Sequence, residues 1–267
     1  MVDERHRLRT TFDEAAALYD EVRPGYPDEL FDDVVSLSGI PSAGKILEIG
    51  CGTGQATVPL ARRGYYILCV ELGGNMAALA RRNLEEYPLT EVHTGAFEEW
   101  PLQEAAFDLA ISATAFHWLD KSIAYPKVAR ALRYGGSLAL FWNVHVHSDA
   151  SEGFFEAAQR IYEREAPEIV GPEDYKGLPR PDEVPDRTGE IQSTGLFGEV
   201  ITRGYQWDVP YDAEGYLRVL NTYSGHRSLR DDSRERLFRG IADLIDSEYG
   251  GRIVKGYLTT LYFAPKK

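Results

Sequence analysis

Residues 45–54 read KILEIGCGTG, a short apolar run closed by three glycines at alternate positions. Such a run predicts a buried strand, and glycines at its end let the chain bend sharply. They also let a ligand approach the backbone without meeting side chains. Residues 55–63 are helical in composition, with Gly64 placed as a C-cap. The amides at that helix's start would point at whatever the loop holds. A second acid, Glu71, ends the next strand-like run, 21 positions after Gly50. A doubly wound α/β fold places a carboxylate there to accept both hydroxyls of a ribose.

Spacing separates the possible ligands. In the dinucleotide fingerprint G-x-G-x-x-G/A, the last position falls on Gln55 if counted from Gly50, and on Thr57 if counted from Gly52. Neither fits, so an NAD-dependent oxidoreductase is set aside. Glu48, two residues before the first glycine, suits a cationic ligand better than a pyrophosphate.

Strand and helix patterns alternate through residue 142. Strands are predicted at 45–50, 66–71, 91–94, 107–113 and 137–142, helices at 55–63, 75–87 and 122–132, and a turn at 134–136. Near-continuous apolar strands in that alternation predict a parallel sheet covered on both faces. Ahead of it, residues 13–22 and 28–37 read as helices divided by the turn-forming Pro24-Gly25-Tyr26-Pro27. After residue 143 the pattern loosens into a helix at 151–165 and a proline-rich excursion at 167–189. A strand (199–207), two helices (213–220 and 232–249) and a last strand (253–263) follow. The organisation predicted is one domain over residues 1–267, with a helical lid at 1–40 and an inserted cap at 148–195.

The formal net charge of −13 argues against a nucleic-acid partner, whose affinity comes mostly from basic residues on phosphates. No apolar run approaches the ~18–20 residues that cross a bilayer. The first ten residues are charged throughout and lack the apolar stretch of a signal peptide. Two cysteines, Cys51 and Cys69, cannot form a disulfide framework, and no metal site is expected from His145 and His147 without a third ligand. Cys51 has no partnered base nearby in sequence and is not read as a nucleophile. The expectation is a cytoplasmic protein acting on a small molecule.

The segments KILEIGCGTGQAT (45–57), VELGGNMAALAR (70–81), AFDLAISATAFHWLD (106–120) and VARALRYGGSLALFW (128–142) resemble, in order, motifs of the Rossmann-like (class I) S-adenosylmethionine-dependent methyltransferase superfamily. Tyr134 stands where the last motif usually has proline. The tail LNTYSGHRSL (220–229) is similar to a small-molecule subset that includes trans-aconitate methyltransferase-like proteins. The resemblance implies a doubly wound, seven-stranded, mostly parallel sheet with helical lid and insert elements, and S-adenosyl-L-methionine as cofactor. It also implies methyl transfer to a small acceptor at O, N or C. The alternative is a non-catalytic S-adenosylmethionine-binding or regulatory protein of the same fold.

Carried onto this chain, the resemblance puts Glu48, Gly50, Gly52 and Gly54 around the methionine end and Glu71 on the ribose. Leu72 and Met76 then lie near the adenosine. Many relatives have an aspartate after the third strand where this chain has Ala96, so backbone groups of Ala96 and Phe97, or the side chain of Glu98, are expected to meet the adenine. Tyr19 and Arg23 belong to a segment that folds over the cofactor in relatives, with Arg23 a candidate for its carboxylate or for an acidic substrate. His117 is the candidate catalytic residue, as general base or orienting group. His117, Trp118, Trp142, Asn143, Tyr223 and His226 are the candidate acceptor contacts.

Overall fold

The computed structural model describes Asp13, residues 15–170 and residues 177–267. The start of the predicted lid, and Pro172 of the proline-rich excursion, lie outside the described residues. Strands β1 (Lys45–Ile49), β2 (Tyr66–Glu71), β3 (Thr90–Thr94), β4 (Phe107–Ala113), β5 (Leu132–Val146), β6 (Ile201–Asp212) and β7 (Arg252–Pro265) form one sheet in the order β3-β2-β1-β4-β5-β7-β6. The first five strands pair in parallel. β7 runs antiparallel to both β5 and β6. Strand order reverses between β1 and β4, so the loops leaving those two strands diverge and open a crevice at the carboxyl edge of the sheet.

Both faces of the sheet are covered. On one, Ile46, Ile67, Ile111, Phe141 and Phe263 pack against Leu30, Phe31 and Val34 of helix Asp28–Ser38. That helix has acids in its first turn and stops at Gly39, whose φ of 57° and N–H bond to the Val35 carbonyl make a left-handed cap. On the other face, Leu47, Ile49, Leu68, Val70, Leu138 and Leu140 meet Ala124, Tyr125 and Val128 of helix Lys121–Ala131. A third cluster joins helices Phe154–Glu165, Ala213–Leu220 and Asp231–Glu248 over the β7 end of the carboxyl edge.

Two sequence expectations change in detail. The turn predicted at 134–136 lies inside β5 as a bulge. Leu132 pairs with Phe107 and Ser137 with Leu109, so the residues between are looped out, with Gly135 at φ 77°. The last two strands are longer than their apolar runs, because β6 and β7 pair residue for residue from Ile201↔Phe263 to Asp212↔Arg252. Backbone pairing carries them past the point where side-chain pattern fades.

Phe141 is fully buried and meets Tyr26 and Phe31 edge to face, at centroid distances of 5.1 and 6.2 Å. It fastens the N-terminal helices to the sheet. Phe141→Ala is expected to cost about 3–5 kcal/mol of unfolding free energy by urea titration, as for other buried phenylalanines. A cost below about 1 kcal/mol would show that the contact is not structural.

Candidate functional site

The crevice at the β1/β4 switch point holds a cavity of about 300 Å³. Its floor is Gly50 and Gly52, one side is the loop after β2, and the other is the loop after β4. Gly50 and Gly52 sit at φ 71° and 59°, the left-handed region that side chains disfavour. A Cβ on Gly50 would also lie 2.5 Å from the Cβ of Ala115. The loop's shape therefore requires glycine.

Glu71 joins the two sides of this floor. One carboxylate oxygen accepts the Gly52 N–H and the other the Gly73 N–H, both at 2.8 Å. The side chain is only 9 % exposed. Burial pushes its carboxyl above the usual range, and the Gly73 and Gly52 amides pull against that. Each oxygen keeps lone pairs for a ligand hydroxyl.

Several expected residues line the cavity: Gly50, Gly52, Glu71, Leu72, Met76, Phe97, Tyr19, Arg23, His117, Trp118 and Tyr223. Others do not. Gly54 takes up φ 97° behind the floor, and Ala96 is off the wall while its neighbours Gly95 and Phe97 line it. The Glu98 carboxylate turns away to accept the Asp120 N–H at 3.2 Å. Glu48 is fully buried beneath the loop, off the cavity wall, and its Oε1 has no hydrogen-bond partner. Burial pushes the Glu48 carboxyl up to about 7.

Asp13 is a cavity residue that sequence reasoning missed. Its Oδ1 accepts the Asn75 and Met76 N–H groups at 2.8 and 2.9 Å, capping helix Gly74–Asn83. The signal was indirect. Gly73, at that helix's N-cap, has no side chain to accept these amides, so the acceptor had to come from elsewhere. Arg23 donates from Nε to Thr222 Oγ1 at 2.7 Å, and its guanidinium lies 4.2 Å from the Tyr223 ring centroid and 5.1 Å from that of Tyr19.

Beyond the loop after β4, the Trp142 indole lies off the cavity wall and donates to His117 Nδ1 at 3.1 Å. An indole N–H can only donate, so Nδ1 carries the lone pair and neutral His117 keeps its proton on Nε2. This geometry leaves His117 a donor at Nε2, with no free lone pair to accept a proton. Burial, with Arg187 and Lys121 beside it, pulls the imidazole down to about 4. Asn143 and His226 are structural neighbours. The Asn143 amide donates to the Gly25 carbonyl at 2.9 Å, and His226 Nε2 meets the Tyr162 hydroxyl at 2.7 Å. Tyr223 lines the cavity while its hydroxyl meets His145 Nε2 at 3.0 Å and the buried Lys255 Nζ at 2.9 Å. Lys255 and Thr114, a cavity residue at φ 52°, were also missed.

These shifts contribute to the pH dependence of the fold's stability. For Glu48, raised from 4.5 to about 7, the stabilising contribution is full below pH 4.5 and is lost as pH rises through 7. For His117 and His226, lowered from 6.5 to about 4, it is full above pH 6.5 and is lost as pH falls toward 4. Glu48→Gln should therefore gain stability relative to wild type between pH 5 and pH 8 in urea titrations. A pH-independent difference between the two proteins would contradict this.

Residues 47–140 match the family model described as a methyltransferase domain. An uncharacterized methyltransferase of Mycobacterium tuberculosis (strain ATCC 25618 / H37Rv) is 36 % identical over 143 residues, 54 % of this chain and 56 % of its own. A malonyl-[acyl-carrier protein] O-methyltransferase of Herminiimonas arsenicoxydans is 31 % identical over 137 residues, 51 % of this chain and 50 % of its own. The match thus spans about half the length of these curated relatives. A solved structure from Anaeromyxobacter dehalogenans, provisionally described as a type II methyltransferase, superposes with a TM-score of 0.64. It is 19 % identical, and the superposition covers 91 % of this chain and 97 % of that one. Residues 47–140 are thus similar to methyltransferase domains, and the strand order is that of the fold shared with the Anaeromyxobacter structure.

Proposed function

We propose that this protein transfers a methyl group from S-adenosyl-L-methionine to a small-molecule acceptor, in the cytoplasm, as one domain with an N-terminal lid and an inserted cap. The observation that carries the reading is the buried Glu71 carboxylate, held by two glycine amides at the floor of the cavity with lone pairs still free. The residues fit the cofactor along its length. Glu71 would take the ribose hydroxyls. Leu72, Met76 and Phe97 would hold the adenine between apolar surfaces. Gly50 and Gly52 let the methionine part lie against backbone, and Arg23 would meet its carboxylate. The unpartnered Oε1 of Glu48 beneath the loop adds negative potential under a cationic ligand. No described helix is long and apolar enough to cross a membrane.

When bound, the cofactor supplies a methyl group on a positively charged sulfur, already activated for in-line displacement. The protein's part is to hold the acceptor in line with it and keep water out, a proximity effect worth up to ~7–11 kcal/mol. The loop after β4 does this from one side. Thr114 is held in its left-handed conformation by the Tyr26 hydroxyl at 2.9 Å and by its own N–H to the Phe141 carbonyl at 2.8 Å. His117 would orient the acceptor by donating from Nε2. With its lone pair engaged by Trp142, His117 takes no proton from the acceptor, an arrangement that suits an acceptor atom already nucleophilic, such as a carboxylate oxygen. The name of the Herminiimonas relative makes oxygen the first receiving atom to test.

Calorimetry should show S-adenosylhomocysteine binding to wild type, with affinity lost at least 100-fold in Glu71→Ala and about 10-fold in Arg23→Ala, and no heat with NAD. Equal affinity in Glu71→Ala would overturn the cofactor assignment. Release of labelled methyl to a metabolite panel separates an enzyme from a protein that only binds the cofactor.

A further inference from the structure

Trp142 carries more than the hydrogen bond to His117. The Arg187 guanidinium lies 4.6 Å from the centroid of the same indole. Arg187 is half-buried, and its guanidinium has no carboxylate partner among the described residues. The acid three residues on, Glu190, gives one oxygen to Lys121 and the other to the Tyr125 hydroxyl. Asp186, beside it in sequence, accepts from the Thr188 N–H and hydroxyl. One indole thus joins two donor groups, a forked guanidinium on its face and, through the bond to Nδ1 at its edge, the His117 imidazole, whose Nε2–H points away from the indole.

Arg187 itself lines neither of two cavities, but its neighbours reach both. Across the indole, His117 lines the first. On the other side, Asp186, Thr202, Gln206, Thr260 and Tyr262 line a second of about 510 Å³, between residues 181–186 and the upper face of β6 and β7. Thr260 pairs directly with Trp142 across β5 and β7. Its hydroxyl is buried without a hydrogen-bond partner, the residue being 8 % exposed.

We propose that the acceptor is an acid anchored by a carboxylate between Arg187 and His117, with the second cavity, beside Thr260, giving room for the part of the molecule that does not react. A planar guanidinium stacked on an aromatic ring is preorganised to grip a carboxylate with two parallel bonds, and an adjacent imidazole N–H adds a third donor. A neutral acceptor would leave the stacked guanidinium uncompensated in a half-buried position. The placement keeps this anion on the opposite side of the cavity from Asp13 and Glu71, whose charges would repel it. The proposal rests on the methyl-transfer reading for its meaning, but not for its test.

The test titrates succinate, glutarate and benzoate, each against its carboxamide, into the protein with and without saturating S-adenosylhomocysteine, followed by calorimetry. At least one acid is expected to bind tenfold or more tightly than its amide. Arg187→Gln should abolish that preference and Arg187→Lys should restore it only in part, while both variants keep wild-type melting temperature and S-adenosylhomocysteine affinity. Equal binding of every acid and its amide, or an undiminished preference in Arg187→Gln, would overturn the anchor. Failure of S-adenosylhomocysteine to bind would strike the cofactor reading instead, with the acid-over-amide comparison still scored on the bare protein.

Discussion

The bridge from Glu71 to the Gly52 and Gly73 amides is the interaction on which the site depends. Two loops leave neighbouring parallel strands at the same edge, and nothing in sheet pairing fixes their separation beyond the last ladder bond. A single carboxylate spanning both does. It satisfies two amides that the turn geometry would otherwise leave unpaired, and those bonds offset part of the penalty of burying a charge. The result is an acceptor array built before any ligand arrives, which lowers the ordering cost of binding. Glutamine could not replace it, since one of its two ends would set an N–H against an N–H.

The N-terminal segment closes over this floor through contacts that each reach a different wall. Asp13 caps helix Gly74–Asn83, and Asn83 in turn donates to Asp20 at 2.8 Å and to the Thr53 carbonyl at 3.0 Å. Gln55 donates to the Arg23 carbonyl, and Asn143 to that of Gly25. Tyr26 reaches the strained Thr114, whose conformation costs on the order of 1–3 kcal/mol and persists because these neighbours over-determine it. Cofactor side and acceptor side are thereby held by one short stretch of chain. A change at residues 13–26 reaches both.

Sequence reasoning reached the parts of this protein that local physics dictates. The helix at Ala213–Leu220 has the predicted bounds, and strands β1, β2 and β4 follow apolar runs that must be buried on both faces. The glycine floor and Glu71 were legible because only glycine tolerates the turn and only one acid ends the second strand. Asp13, Thr114 and Lys255 were not legible, since each acts through a partner distant in sequence: Asp13 on amides 62 and 63 residues away, Lys255 on Tyr223. His117 shows the finer limit. Its position after β4 was readable, but which nitrogen holds the proton is set by an indole 25 residues along the chain.

Charge is sorted across the cavity in a way that the net charge of −13 conceals. The acids Asp13 and Glu71 line the side built from the first two strands, with Glu48 beneath, while Arg23 closes the opposite end. Behind Arg23, Lys255 is 2 % exposed among the rings of Tyr216, Tyr223 and Tyr257, and burial with Arg23 nearby drives its amine well below the usual lysine range. His145 and His226 are pulled down by the same surroundings. A cluster kept largely uncharged supplies hydrogen bonds that hold the Tyr223 ring beneath Arg23 without competing for its charge. Arg23 then keeps its full attraction for an anion, and the acids across from it keep theirs for a cation. Bound as proposed, a methyl donor with a positive sulfur and a negative carboxylate would meet both ends in one direction, so this sorting of charge would favour that orientation.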